Sequence, residues 1–144
     1  MAETGKSLRH VLLGSLQSVT VTRAELDGPD GISLDAELLE AAGFLEHEKV
    51  ELLDVTNGSR LAAPVRGAAR GSGEVAASGA VAQLVRPGDV VTLSAFGWMK
   101  EKQAKKHAPL VVRVDAQNRP PMPTALVAEK PEKPAKKKKP RAAD

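Results

Sequence analysis

The chain has 144 residues, enough for one domain with a modest core, and its 42% apolar content with only 2% aromatic residues means that Val, Leu and Ala must build that core. The absence of cysteine excludes disulfides and thiolate metal sites, and no stretch resembles a signal peptide or approaches the roughly 20 apolar residues of a membrane span, so a cytoplasmic protein without membrane contact is expected. The net charge of +3 does not describe the folded part, because residues 120–144 hold seven of the 21 basic and three of the 18 acidic residues and leave the remainder near −1.

The N-terminal half of the sequence predicts a short lead, several brief strands and one helix. Residues 1–6 are expected to be disordered, and the folded domain is expected over residues 7–119. Asp35 is predicted to cap a short helix that ends at Gly43, because its carboxylate can accept a first-turn N–H and glycine suits the left-handed C-terminal position. The other elements follow from alternation and turn formers: an apolar run at 8–13, a strand at 17–23, a turn at 26–31 and a strand at 32–34.

The C-terminal half predicts more short strands joined by tight turns. Asn57-Gly58 is the strongest hairpin signal, since a type I′ turn requires positive φ at both of its central residues. Residues 79–84 suit one or two helical turns, and residues 100–107 suit a solvated connection. The predicted strands occupy residues 49–55, 60–65, 74–77, 90–96 and 110–114. So many short strands with so few helices favour a mainly β barrel.

The last segment, residues 120–144, has the composition of a disordered tail. It is rich in lysine and proline, has no apolar periodicity, and cannot bury enough surface to offset the entropy of ordering. Its four consecutive lysines favour a solubilising extension, and the alternative is a polyanion binder that releases counterions from a nucleic acid, although no interleaved aromatic residue is present to stack bases.

Side chains that could carry chemistry are scattered along the sequence. The three histidines stand far apart, and no pair has the spacing of a helical metal site. The aspartates of the 27–35 segment are compatible with a calcium loop, but without the alternation and closing glutamate of an EF-hand they are better read as turn and cap residues. No phosphate-binding glycine motif is present. The residues alone therefore predict no metal or cofactor.

The order of segments nevertheless resembles one family. Three segments carry the resemblance, in the order SLRHVLLGSLQSVTVTRAELD, ISLDAELLEAAGFLEHEKVELLDVTNGSRL and GSGEVAASGAVAQLVRPGDVV. These segments resemble pyruvoyl-dependent aspartate 1-decarboxylase without gaps from Ser7 to Met99, and more loosely to Asn118. The resemblance implies a double-psi β-barrel that assembles as a homotetramer. It also implies the family reaction, which converts L-aspartate to β-alanine and CO2 for pantothenate biosynthesis.

The family makes its prosthetic group from its own backbone. A serine hydroxyl attacks the preceding glycine carbonyl, the resulting ester is eliminated, and the cleaved chain keeps a pyruvoyl group that acts as an electron sink. The aligned pair in this sequence is Asp30-Gly31. Gly31 has no β-carbon and can neither attack nor eliminate, so no pyruvoyl group can form there.

Several other family positions have also changed, while a few are kept. The resemblance assigns substrate binding to Arg60, Gly79 and Ala80, which are retained; Arg60 equally suits a structural role beside the hairpin. The positions that the family fills with a lysine, a histidine, a tyrosine, a threonine–tyrosine pair and an asparagine hold Ser15, Gln17, Gly28, Ala63-Pro64 and Ser78.

Three functional hypotheses follow from these residues. The first is an unprocessed, catalytically inactive homologue with a structural, regulatory or ligand-binding role, with a small carboxylate at Arg60 as the candidate ligand. The second is an active decarboxylase that processes itself at a shifted serine, Ser33, which alone would supply a pyruvoyl cofactor. The third is a polyanion binder that acts through the tail, which is compatible with either of the others.

Overall fold

A computed structural model describes residues 7–121 of the chain, so the predicted lead and nearly all of the predicted tail lie outside the described residues. Over residues 7–121 the structure contains eight strands and three short helices. The strands are β1 (Leu8–Thr20), β2 (Arg23–Glu25), β3 (Gly31–Asp35), β4 (Lys49–Asp54), β5 (Arg60–Ala68), β6 (Val75–Ser78), β7 (Val90–Lys100) and β8 (Leu110–Arg113). The helices are α1 (Ala36–Ala41), a 3₁₀ helix (Gly79–Gln83) and α2 (Glu101–Ala104).

All eight strands form one mixed sheet in the order β2-β6-β3-β5-β4-β7-β1-β8. Strand β2 stands at one edge of this order and β1 stands near the other, yet only Val21 and Thr22 separate them along the chain. The sheet must therefore curl until its two ends meet. Thr22 helps to join these ends, because its N–H donates to the Val75 carbonyl of β6 at 2.8 Å. The predicted mainly β fold, consistent with a double-psi β-barrel, is thus confirmed.

The core of the barrel is aliphatic, as the low aromatic content requires. Inward positions alternate along the strands, so that β4 buries Val50 and Leu52 while Glu51 and Leu53 face outward. Phe44 is the only aromatic residue among the buried ones that the structure describes. The largest fully buried side chains are Leu16, Ile32, Leu34, Leu38, Leu52 and Leu93.

Strand β1 is one continuous element, although the sequence suggested two separate pieces. Its pairing with β7 shifts register twice, between Leu12 and Gly14 and between Leu16 and Val19. Each shift interrupts the alternation of inward and outward side chains. The two-residue hydrophobic period that marks a strand in the sequence is therefore lost at these points. Ser18 lies in the second irregularity with a φ of 65°.

The hairpin at Asn57-Gly58 forms, but its predicted type I′ turn is wrong. Gly58 has a φ of 82°, whereas Asn57 is not among the residues with positive φ. The connection is longer than two residues, because the Asp54 N–H donates to the Ser59 carbonyl at 2.8 Å. The Asp54 carboxylate also accepts the N–H groups of Thr56 and Asn57, and these bonds organise the wider loop.

Asp35 caps α1 as the sequence predicts, and it has a second role. One carboxylate oxygen accepts the N–H groups of Glu37 and Gly71, and the other accepts the N–H of Gly73 at 2.8 Å. The side chain is 1% exposed, and burial alone raises its pKa. The three N–H donors outweigh burial and hold the pKa of Asp35 below its usual range.

Within residues 7–121, no helix is both long enough and apolar enough to cross a bilayer.

Candidate functional site

Gly31, the first residue of β3, sits in a position that has no room for a side chain. It is buried, and its φ of +141° is a conformation that residues with a β-carbon rarely adopt. A β-carbon built on Gly31 would lie 2.8 Å from the carbonyl oxygen of Pro64 and 2.9 Å from Nη1 of Arg66. Both neighbours belong to β5, which runs parallel to β3. Any side chain at position 31 would therefore force the loop or its neighbours to move.

Arg66 lies across the loop that leads into β3. Its Nη2 donates to the Pro29 carbonyl at 2.9 Å and to Oγ of Ser78 at 3.2 Å, and its Nη1 lies 3.5 Å from the Asp30 carbonyl oxygen. Because Pro64 and Arg66 are two residues apart on one strand, both face the same side of β5. The guanidinium thus occupies the space beside Gly31.

The start of the 3₁₀ helix holds the same loop from its other side. Ser78 pairs with Gly31 across β6 and β3, and its Oγ donates to the Pro29 carbonyl at 2.5 Å. The Ala80 N–H donates to the Asp30 carboxylate at 3.0 Å. Gly79 has a φ of +72°, and a β-carbon there would lie 2.7 Å from the Asp30 Cα. The structure therefore brings Gly79 and Ala80 together with Gly31.

Arg60, the third residue that the resemblance assigned to the substrate, lies elsewhere in this chain. It opens β5, five residues before Val65, which pairs with Ile32 of β3. At about 3.3 Å per strand residue, this distance is roughly 16 Å along the strand. Its side chain is 63% exposed and pairs with Glu51 at 3.0 Å. A carboxylate-binding role for Arg60 stays a prediction.

Ser33, the alternative nucleophile, lies in the middle of β3. It pairs with Arg66 of β5 on one side and with Ala76 of β6 on the other. The preceding residue, Ile32, is 1% exposed and belongs to the core. The Ile32–Ser33 peptide is therefore part of a central, fully paired strand.

The family positions on β1 and β6 now hold small or neutral polar side chains that bond to neighbouring strands. Ser15 is 3% exposed, and its Oγ lies 3.2 Å from Oγ of Ser94 on β7. Gln17 accepts a long contact of 3.4 Å from Arg113 of β8, which also donates to Ser18 at 2.7 Å.

Two buried carboxyl groups, which the sequence did not single out, face each other beside the β4–β5 hairpin. Asp54 is 1% exposed, and its Oδ2 is buried without a donor partner. Burial is the main cause that raises the pKa of Asp54, and a side-chain hydrogen bond with Asp89 adds to the increase. The same hydrogen bond lowers the pKa of Asp89, helped by the Arg86 N–H at 3.0 Å. These opposite pKa directions predict that the two carboxyl groups share one proton in acid.

Asp89 also lines an open cleft of about 380 Å³ between the hairpin loop and the turn before β7. The Val90 N–H donates to Oγ1 of Thr56 at 3.1 Å, and the Asn57 side chain donates to the Leu84 carbonyl at 2.9 Å. These bonds join the loop to the turn, so the carboxyl pair sits where two connecting segments meet.

An exposed aromatic cluster lies on the outer face of β1 and β7. The rings of His10 and Trp98 stack with centroids 4.3 Å apart, and Phe96 lies 5.7 Å from His10. Trp98 is 66% exposed. The two-residue spacing of Phe96 and Trp98 indicates that they share one side of a strand, but it does not reveal that this side faces outward.

The pyruvoyl group that the resemblance implies does not fit the residues at position 31. That group is made from a side-chain oxygen on a β-carbon, and the position has neither the carbon nor the space for it. Arg66 was not predicted from the sequence, because only the parallel pairing of β3 and β5 brings it beside Gly31. Among residues 7–121, no three His, Asp or Glu side chains gather as a metal site.

Residues 7–120 match the family model described as aspartate decarboxylase.

Proposed function

The chain belongs to the aspartate decarboxylase family, and from that premise we propose that it is a non-catalytic member which stays uncleaved and makes no β-alanine. The observation that carries the proposal is the geometry of Gly31. The residue lacks the hydroxyl that the family reaction uses, and its φ of +141° and the nearby Pro64 carbonyl oxygen leave no space for one. The prosthetic group cannot be generated at this position.

The chemistry of self-processing makes this a qualitative barrier rather than a reduced rate. Cleavage requires an oxygen on the β-carbon of residue 31 to bond to the carbonyl carbon of residue 30 while the C–N bond breaks. The second step breaks the bond between that oxygen and the β-carbon. Glycine offers neither bond, so both steps are excluded at Gly31.

Processing at Ser33 is the alternative, and the position of this serine argues against it. An attack by Ser33 on the Ile32 carbonyl would require the peptide to leave a ladder that is bonded on both sides. It would also pull Ile32 out of the core, where it is 1% exposed. Each of these changes costs stability that a flexible loop would not lose.

We infer a structural or regulatory role for the retained fold. The barrel, its cap and its hairpin are kept, while the polar groups of the family site are replaced. Family resemblance supports a homo-oligomer, with a tetramer as the specific prediction, and a cytoplasmic location is predicted from the sequence. If this role includes ligand binding, the predicted ligand is a small carboxylate at Arg60.

Intact-mass spectrometry tests the proposal on the purified full chain. We expect a single mass for the uncleaved polypeptide and no β-alanine after incubation with L-aspartate. The Ser33→Ala variant is the matched control. Two fragments from the natural chain, one with a carbonyl-bearing N-terminus, would overturn the proposal, and their loss in Ser33→Ala would establish the alternative.

The polyanion-binding hypothesis rests on residues that lie outside the described part of the chain. It stays a prediction that is compatible with the absence of catalysis.

A further inference from the structure

We propose that Arg66 is a second barrier to cleavage of the Asp30–Gly31 peptide, independent of the missing hydroxyl, because it fills the space beside position 31 and holds the preceding loop in place. The inference rests on the proposed function and deepens it. It predicts that restoring a serine at position 31 does not by itself restore a site that can process.

The steric part of the barrier comes from the guanidinium. A β-carbon on Gly31 would lie 2.9 Å from Nη1 of Arg66, closer than real β-carbons approach other heavy atoms. The guanidinium is the flexible end of its side chain, but moving it away strains or breaks its bonds to the Pro29 carbonyl and to Ser78. A side chain at position 31 must therefore strain or break these bonds before it can fit.

The second part of the barrier is the fixed geometry of the loop. The Pro29 carbonyl accepts from both Arg66 and Ser78, and the Asp30 side chain accepts the Ala80 N–H. An attack on the Asp30 carbonyl carbon requires this peptide and the incoming oxygen to reach attack distance and alignment, and a fixed loop resists that adjustment. Nη1 of Arg66 lies 3.5 Å from the Asp30 carbonyl oxygen, which is too far to polarise it strongly. Arg66 thus restrains the peptide without activating it.

Pro64 does not explain the barrier alone. Its carbonyl oxygen also lies close to a β-carbon at position 31, at 2.8 Å, but it belongs to the backbone of β5 and stays in every variant. Removal of the Arg66 side chain would release the loop, which could then shift away from Pro64. We therefore expect the cost of a side chain at position 31 to fall in the absence of Arg66, but not to vanish.

A double-mutant cycle on the full chain tests this coupling. The variants are Gly31→Ser, Arg66→Ala and the double variant, each unfolded in urea, with Arg70→Ala as the control background. Arg70 is an exposed arginine that pairs with Glu40, away from position 31. We expect Gly31→Ser to lower the folding equilibrium constant at least tenfold less in the Arg66→Ala background than in the natural or Arg70→Ala backgrounds. An equal loss in all three backgrounds would overturn the inference.

If Gly31→Ser does not fold, Gly31→Ala replaces it in the same cycle, since its β-carbon meets the same atoms. A serine variant that folds only with Arg66→Ala would also support the inference.

Intact mass gives a second readout that separates this inference from the proposed function. Cleavage of the Gly31→Ser variant while Arg66 is still present would overturn the role of Arg66, yet it would leave the natural chain inert, because that chain carries glycine. Cleavage of the natural chain would instead overturn the proposed function. Cleavage only in the double variant would support both.

Discussion

Replacement of Asp54 by asparagine probes the proton shared by the two buried carboxyl groups. Oδ1 of Asp54 accepts the N–H groups of Thr56 and Asn57, and an asparagine would keep both bonds through its own amide oxygen. Oδ2 of Asp54 is buried without a donor, and a hydrogen bond between the Asp54 and Asp89 carboxyl groups needs a proton on one of them. The amide nitrogen of asparagine would supply that donor at every pH.

The sign of the pH dependence follows from the two pKa directions. Burial, and then the Asp89 carboxylate, raise the pKa of Asp54, so its contribution to stability is complete below about pH 4 and is lost as pH rises through the raised value. Above that value two ionised carboxyl groups face each other. The pKa of Asp89 is lowered, so it remains the ionised partner near pH 4.

We expect Asp54→Asn to raise the free energy of unfolding by about 1–2 kcal/mol at pH 7.5, the net value of one hydrogen bond to a charged acceptor. For a domain of this size, this corresponds to a Tm increase of roughly 4–8 °C. At pH 4.0 the gain should be smaller, because a larger share of the natural Asp54 carboxyl group is protonated in the folded chain and can donate.

Urea unfolding at both pH values measures this difference, with Asp115→Asn as the control. The Asp115 carboxylate also accepts two backbone N–H groups, from Gln117 and Arg119, but it is exposed. A gain that is equal at pH 4.0 and 7.5, or a loss at pH 7.5, would refute the shared proton.

Three further predictions concern the cap, a glycine and the tail. Asp35→Ala should cost about 3 kcal/mol at pH 7, because three N–H donors lose a charged acceptor; since the pKa of Asp35 is lowered, urea unfolding should show this cost shrinking as pH falls through the folded value. Gly79→Ala should lower Tm in calorimetry by more than Gly58→Ala, because both have positive φ but only the former meets backbone atoms of Asp30. Deletion of residues 120–144 should abolish salt-dependent binding to a single-stranded oligonucleotide in an anisotropy titration and leave Tm unchanged; unchanged affinity would contradict a tail-driven polyanion site.

The sequence predicted those parts of the fold that depend on local chemistry. Asp35 and Gly43 delimit the helix as expected, since a cap and a left-handed glycine depend on neighbours only a few residues away. The turn type at Asn57-Gly58 was wrong because Asp54 bonds forward into the loop and widens it. The single long β1 was missed because its two bulges are defined by the partner strand β7.

The candidate site was only partly accessible from the sequence, for a similar reason. The lack of a hydroxyl at Gly31 can be read from one letter once the resemblance fixes the register. The contact with Arg66 depends on the parallel pairing of β3 and β5, which joins segments more than 30 residues apart. Asp54 and Asp89 likewise lie at two different connecting segments, and no local sequence pattern links one segment to the other.

The stack of His10 and Trp98 also gives the protein a built-in optical probe. Trp98 is the only tryptophan in the chain, so all indole emission comes from one place on the outer wall of the barrel. At 66% exposure the ring is largely in water, and any surface that covers it would shift its emission to shorter wavelengths. Dilution series of the unlabelled protein can therefore report whether self-association covers this wall.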